Sequence, residues 1–361
     1  MSPHSIPANT IKEEAIRLGF DSVGIARLPL PLSDTPLPPA QNTISHAEEA
    51  ITWRLWGRLK KWLDLGFHGT MEWIAKDPKR RSNPEEVLPG CQSLVVVGMN
   101  YYTGHTPDES KAAGRIARYA WGKDYHGFMK DRLRQLENFL HTHVPDIQTR
   151  SYVDTGPIME KPWAQEAGIG WIGKHTNIVS TEFGSWLLLG EILTTMPLDC
   201  DEPAMDLCGT CSLCIQACPT GAIVEPYLLD AERCISYLTI EYRGSADDLP
   251  TELRKKIGNR IFGCDDCLDI CPFNVNAKAT TEPGFQPFPW TLHPQLPELV
   301  NLTKDEFQSL TTGSPLRRPK HEGFIRNVEI GLNNHAPRIP YRNSITVTPS
   351  PPSAGSPDRK L

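Results

Sequence analysis

Between Asn9 and Gly19 the apolar residues Ile11, Ala15 and Leu18 share one face at helical spacing. Thr10, with Glu13 three residues on, reads as a capping box, so a helix is predicted with Gly19 as its stop. FDSVGIA (20–26) follows as a strand. A Pro-rich connection (29–39) leads to a second predicted helix, with Ser45 and Glu48 as its capping box and an end near Gly66; its Trp53, Trp56 and Trp62 are expected to pack a core. SLVVVGMNY (93–101) reads as a buried strand, His126 to His143 as an amphipathic helix, and IQTRSYVDT (147–155) as another strand. SWLLLGEIL (185–193) is far shorter than the roughly 18 apolar residues of a membrane span and is broken by Gly190 and Glu191, so it too reads as a buried strand. Strands and helices alternate irregularly through residue 195, which predicts an α+β or α/β domain. Helical periodicity returns between about 303 and 334, and the Pro- and Ser-rich stretch from His335 onward is expected to be disordered.

Composition narrows the picture little until the cysteines are counted. A chain of 361 residues accommodates a core domain plus a smaller module. With a formal charge of −6 and 39% hydrophobic residues there is no overall bias toward polyanions, so any nucleic-acid contact must come from a local patch. The N-terminus has no basic n-region, apolar signal stretch or twin arginine, and the expectation is a cytoplasmic protein. Eight of its ten cysteines fall between 208 and 271, and in a reducing compartment that density points to metal, not disulfides.

Their spacing is specific. Cys208-x2-Cys211-x2-Cys214-x3-Cys218-Pro219 is the bacterial ferredoxin run, whose fourth cysteine ligates a neighbouring cluster. Cys234 followed by Cys264-x2-Cys267-x3-Cys271-Pro272 supplies the second set. Exchange of the distal cysteines assigns one 4Fe–4S cluster to Cys208, Cys211, Cys214 and Cys271 and the other to Cys218, Cys234, Cys264 and Cys267. A pair of zinc sites is the weaker reading, because zinc does not need the full run. Cys91 and Cys200 fall outside the pattern and read as ordinary small side chains. The insert between Cys234 and Cys264 carries ISYLTIEYRG, which is expected to turn one cluster toward the other domain.

Two clusters in series need a redox partner, yet residues 1–200 contain neither GxGxxG after a strand nor a P-loop. Asp124-Tyr125-His126 begins a DxHxxG motif that fails at Met129, and it carries no weight here. Asp154, in Tyr152-Val153-Asp154-Thr155-Gly156-Pro157, sits where a strand ends; on local sequence a turn-forming role is favoured over a catalytic one. Gly168, Gly170 and Gly173 suggest a backbone that approaches something flat or bulky.

VDTGPIMEKPWAQEAGIGWIGKHTNIVS, the adjoining LLLGEIL, CGTCSLCIQACPTGAI, GCDDCLDICPFN and SPLRR…GFIRNVEIGLNN together resemble the epoxyqueuosine reductase family, in order, over about residues 10–334. Departures are small: His175 and Thr176 in the GKHT segment, and GLNN where ALGN is usual. The resemblance implies an α+β chain with an α/β-type cobalamin-binding domain (1–200), a ferredoxin-like two-cluster module (201–285), a helical tRNA-contacting segment (286–334) and a disordered tail (335–361). It implies cobalamin held without a ligand of the DxHxxG type, reduction of epoxyqueuosine to queuosine at the tRNA wobble position, and Asp154 as proton donor in an apolar site that keeps it protonated. By the same resemblance the corrin would touch Arg118, Asn177, Ile178, Leu189, Ser236, Tyr242 and the Cys264–Cys267 loop with Asp265 and Asp266. Arg317, Arg318, Lys320 and Arg326 form a basic cluster expected to meet tRNA phosphates; Lys76, Lys79, Arg80 and Arg81 form a weaker second patch. A low-potential flavodoxin- or ferredoxin-like donor and a monomer are expected. The rivals are a reductive dehalogenase, whose kind commonly carries the twin arginine missing here, and a ferredoxin-type electron-transfer subunit, which leaves the first 200 residues unexplained.

Overall fold

Four strands build the central sheet: β1 (Ser22–Arg27), β2 (Ser93–Asn100), β3 (Thr149–Tyr152) and β4 (Leu187–Thr194). Their order is β1-β2-β4-β3 and every neighbouring pair is antiparallel. The structure, a computed structural model, describes residues 6–28, 51–108, 110 and 113–334, without the Trp53 side chain. The Pro-rich connection, the Ser45–Glu48 capping box and the tail from His335 lie outside the described residues. The fold is α+β.

The central strands read as continuous apolar runs because helices cover both faces of the sheet. All eight residues of β2 are buried. On one face, α1 (Ala8–Arg17) and α2 (Tyr125–His143) pack Ile11, Ala15, Met129, Leu133, Leu136 and Leu140 against Val95, Val97 and Ile192. On the other, α3 (Glu160–Glu166) packs Trp163 and Ala164 against Leu94, Val96, Leu189 and Leu193. Side chains alternate along a strand, so Glu191 shares the α3 face with Leu189 and Leu193. The turn after α3 approaches β1 so closely that a Cβ at Gly24 would lie 1.9 Å from the Ala167 carbonyl oxygen.

Helix starts correct two expectations. α1 begins at Ala8 behind Pro7, whose ψ of 138° is extended and which offers no side-chain cap; Thr10 therefore lies inside the helix and caps nothing. α2 begins one residue early, at Tyr125, because the Asp124 side chain accepts the His126 N–H. A capping box does form at Thr303 and Glu306, opening the helix Lys304–Leu310.

The C-terminal half docks on this sheet domain through shared elements. Arg115–Ile116 pairs in parallel with Arg260–Phe262, and Ile116 and Trp121 join Ile261, Phe262, Leu316, Phe324 and Val328 in one core. Trp62, on the helix Ile51–Asp64, donates its indole N–H to the Leu229 carbonyl at 2.7 Å. No described helix is long and apolar enough to cross a membrane.

Candidate functional site

The eight clustered thiols fall into two quartets. Cys214 lies among Cys208, Cys211 and Cys271, and burial followed by those neighbours pushes its thiol up to about 11. Cys267 lies among Cys264, Cys234 and Cys218. The short helices Leu213–Ala217 and Asp266–Asp269, which carry Cys214 and Cys267, pack on one another, so the second run reaches back to the first. N–H groups aim at sulfur: Ala222 donates to Cys218 Sγ at 3.2 Å and Trp171 Nε1 to Cys208 Sγ at 3.4 Å. Donors at sulfur favour thiolate, the form in which cysteine holds iron, so these residues fit two cubanes. Cys91 is buried against the Ser93 carbonyl and Cys200 is exposed.

Two residues beyond β3, Asp154 adopts a left-handed φ of 59°. Its backbone N–H donates to Glu160 Oε1 at 2.5 Å, and its Oδ2 lies 3.3 Å from His126 Nε2. The other imidazole nitrogen, Nδ1, is 2.7 Å from Asp124 Oδ1. Burial opposes charge on His126, but the hydrogen bonds to Asp124 and Asp154 outweigh it and raise the imidazole to about 9. The His126 hydrogen bond holds the Asp154 carboxyl below its usual range against burial. Sequence reasoning expects a protonated Asp154 in apolar surroundings. In the structure the carboxyl instead meets the His126 imidazole, which favours its charged form, and its side chain is 61% exposed.

Glu160 opens α3, and burial together with Asp154 raises its carboxyl to about 8. Burial and the neighbouring Glu160 push Glu191 well above the carboxylate range. Lys161 donates to the Thr176 carbonyl at 3.1 Å and to Asn177 Oδ1 at 2.7 Å, and it feels Cys267 and Cys234. It thus stands between the Asp154 turn and the second thiol quartet. Lys161 is exposed and Glu160 half-buried by surface area, yet protein surrounds both on nearly all sides; such residues line the floor of a cleft between the sheet domain and the cysteine module.

The residues singled out by resemblance divide. Asn177 borders the cleft through Lys161. Ile178 and Leu189 are buried in the layer beneath α3. Arg118 is buried: its backbone N–H donates to Asp265 at 2.8 Å and its guanidinium to Asp269 at 3.0 Å and the His105 carbonyl at 3.2 Å. Asp266 pairs with Arg260 and, at 3.4 Å, with Arg115. Asp265 and Asp266 therefore clamp the Cys264–Cys267 loop to the strand Arg115–Ile116. Ser236 lies beside this loop, its Oγ 3.7 Å from where a Gly263 Cβ would be. The Tyr242 ring carries the Arg326 guanidinium at 5.1 Å.

Arg326 corrects the basic cluster. It is buried, and its guanidinium donates to the carbonyls of Tyr242 (2.9 Å), Gly244 (2.8 Å) and Leu238 (2.7 Å), so it knits the helix Lys320–Asn334 to the module and cannot meet a phosphate. Arg317, Arg318 and Lys320 are exposed, with Arg318 held by both oxygens of Glu241 at 2.9 and 3.2 Å. In the second patch Lys79 pairs with Glu86 at 2.6 Å and Arg81 stacks on Trp73 at 4.9 Å.

Sequence reasoning misses His126, Glu160, Lys161 and Glu191. His126 stands out in the sequence only as part of a failed metal-ligand motif, and Glu191 only as an interruption of an apolar run. A charge in a strand buried on both faces is the signal.

Residues 81–155 match the family model "Epoxyqueuosine reductase QueG, DUF1730", and residues 207–274 match "4Fe-4S double cluster binding domain". An epoxyqueuosine reductase of Synechocystis sp. is 46% identical over 276 residues, covering 76% of this chain and 94% of that protein. That of Escherichia coli is 41% identical over 331 residues, covering 91% and 81%. A crystal structure of epoxyqueuosine reductase with an epoxyqueuosine-modified tRNA-Tyr stem loop superposes with a TM-score of 0.78 at 32% identity, covering 91% of this chain and 81% of that one. The Bacillus subtilis enzyme, with its catalytic loop swung out of the active site, gives 0.77 at 32% identity and the same coverage.

Proposed function

The chain belongs to the epoxyqueuosine reductase family, and from that premise we propose that it reduces epoxyqueuosine to queuosine at the wobble position of tRNA, with Asp154 and His126 as its acid. The observation that carries this reading is one cleft with a carboxylate–imidazolium pair on one wall and a cysteine quartet behind Lys161 on the other.

Opening the epoxide and expelling its oxygen as water consumes two electrons and two protons. An alkoxide leaves poorly, so a proton must reach the oxygen as its bond to carbon breaks. His126 holds a proton at neutral pH and shares it with Asp154, which is open to the cleft; Asp154 delivers it and is recharged from the imidazole. Asp124 keeps the imidazole oriented with Nε2 toward Asp154. Eight thiolates in two quartets accept two 4Fe–4S clusters, matching the double cluster domain. For cobalamin the fit rests on the polar edge that Lys161 and Asn177 make opposite the second cysteine quartet; Asn177, Ser236 and Tyr242 would hold the corrin, with Ile178 and Leu189 as apolar backing and Arg118, Asp265 and Asp266 fixing the loop beside it. When bound there, cobalamin supplies the electrons that reach the epoxide carbon.

The exposed Arg317, Arg318 and Lys320 face tRNA phosphate, and a flavodoxin- or ferredoxin-like protein feeds the outer quartet of a cytoplasmic monomer. Catalytic domain, cluster module, helical segment and tail divide at residues 200, 285 and 334. An anaerobic assay with epoxyqueuosine-bearing tRNA stem-loop, cobalamin and a strong reductant, reading the nucleoside by mass, tests the reaction. Loss of one oxygen is the expected result; unchanged substrate with a fully loaded protein overturns it.

A further inference from the structure

Glu191 is wholly buried, and neither carboxyl oxygen has a hydrogen-bond partner among the described residues. It projects from β4 beneath α3, where its neighbours Leu189 and Leu193 are apolar. Facing it is Glu160, the first residue of α3. Glu160 in turn accepts the Asp154 backbone N–H at 2.5 Å. A line therefore runs from the middle of the sheet, through one carboxyl, to the backbone of the residue that faces the cleft.

Buried carboxylates side by side cannot both ionise without a large penalty, and a well-packed apolar pair usually serves stability as well or better. The Asp154 turn supplies a reason for these two. A left-handed φ is unfavourable for a residue with a Cβ, so the turn must be gripped from outside to persist.

We propose that Glu160 is the positioning residue of Asp154: paired with Glu191 as a buried dyad holding a proton, it grips the Asp154 N–H and keeps that carboxylate against His126. This rests on the reading of Asp154 as part of the acid. The charged groups facing Glu160 are Asp154 on its turn, His126 on α2, Lys161 on α3 and Glu191 on β4. With a proton on the dyad, the Glu160 carboxyl stays beside Glu191 and its Oε1 stays on the Asp154 amide. Once both carboxyls ionise, repulsion drives Glu160 outward and the turn loses its acceptor. Burial and Asp154 set the first proton loss, from Glu160, near pH 8, and burial with the charge then on Glu160 holds the second, from Glu191, higher still.

The test uses cluster-loaded protein without corrin and follows amide-exchange protection at Asp154 and Thr155 from pH 6.5 upward, corrected for intrinsic rates. Wild type should keep its protection through the Glu160 ionisation near pH 8 and lose it, by on the order of tenfold, only where Glu191 ionises as well, the loss of one hydrogen bond to a charged group. E191Q removes the like charge and gives Glu160 an amide donor, so protection should persist throughout. E160Q keeps a carbonyl acceptor that cannot ionise and should also be flat, whereas E160L should be unprotected at every pH. On modified stem-loop, E160L should lower kcat with KM unchanged and E160Q should restore it. An alkaline loss of protection in E191Q equal to wild type, or normal protection in E160L, overturns the proposal. Normal turnover by D154N would instead overturn the role of Asp154 and leave the exchange results to stand by themselves.

Discussion

His126 Nε2 lies 3.3 Å from Asp154 Oδ2 while its Nδ1 lies 2.7 Å from Asp124 Oδ1, so one imidazole bridges two carboxylates that have opposite duties. Asp124 is the cap of α2 and is fixed to the helix backbone; Asp154 sits on a strained turn open to the cleft. The histidine couples a rigid group to a reacting one.

Asp154→Asn should keep both clusters and bound corrin and lose on the order of 10²–10⁴-fold in single-turnover rate, the range for removing a general acid. Asn preserves the turn and tolerates a left-handed φ. A rate near wild type would reduce Asp154 to a turn residue.

Turnover should fall as pH rises through the His126 titration near 9, because the pair then loses the proton it delivers. Asp124→Asn withdraws one of the two carboxylates that raise this pKa, so the alkaline limb should move to lower pH with the clusters unchanged. The sign follows from charge: removing an anion makes the imidazolium easier to deprotonate. A pH–rate profile of the two proteins decides it.

How much of this was legible in the sequence follows from what each feature depends on. The cluster module was legible because the two cysteine runs carry the spacing of the bacterial ferredoxin pattern, and residues 207–274 match a double cluster binding domain. The strands over 93–100 and 187–194 were legible from continuous apolar runs. Glu160 and Glu191 were not, since their meaning depends on β4 presenting alternate residues to a helix that precedes it in the chain. Arg326 was misread for the same reason: in sequence it is one of four neighbouring cations, and only the carbonyls of Leu238, Tyr242 and Gly244 make it internal.

Cluster loading should be eight irons per chain. Cys91→Ser and Cys200→Ser should leave that count intact, since neither joins a quartet. Cys218→Ser should damage the cluster of Cys234, Cys264 and Cys267, although 218 belongs to the first run by sequence. Iron analysis with electron paramagnetic resonance of the reduced protein distinguishes the two; two zincs and no iron after anaerobic purification would overturn both quartets.

Arg326→Ala should destabilise the chain by about 2–4 kcal/mol, because it strands three carbonyls that the guanidinium now satisfies. Denaturant titration reads this directly. The salt dependence of tRNA affinity of the folded fraction should not change, which separates Arg326 from the exposed cations around it.

Arg317 and Lys320 are the cations best placed to face tRNA, because both are exposed, whereas Arg318 already commits its guanidinium to Glu241. Phosphate contacts position a nucleic acid without reading its sequence, and each one releases bound counterions, so affinity falls as salt rises. Replacing Arg317 and Lys320 together by Gln should weaken binding of modified tRNA and flatten the slope of log affinity against log salt by about 1 for each phosphate left unneutralised, roughly 2 in all. Neutral Gln is a better probe than Glu, since a new anion beside Glu241 would disturb the Arg318 pair and blur the cause. Cluster and corrin spectra should be unaffected, because neither side chain touches the cysteine loops. Affinities measured at several salt concentrations for wild type and the double variant decide the matter: parallel lines with equal intercepts would return this cluster to an ordinary solvated face.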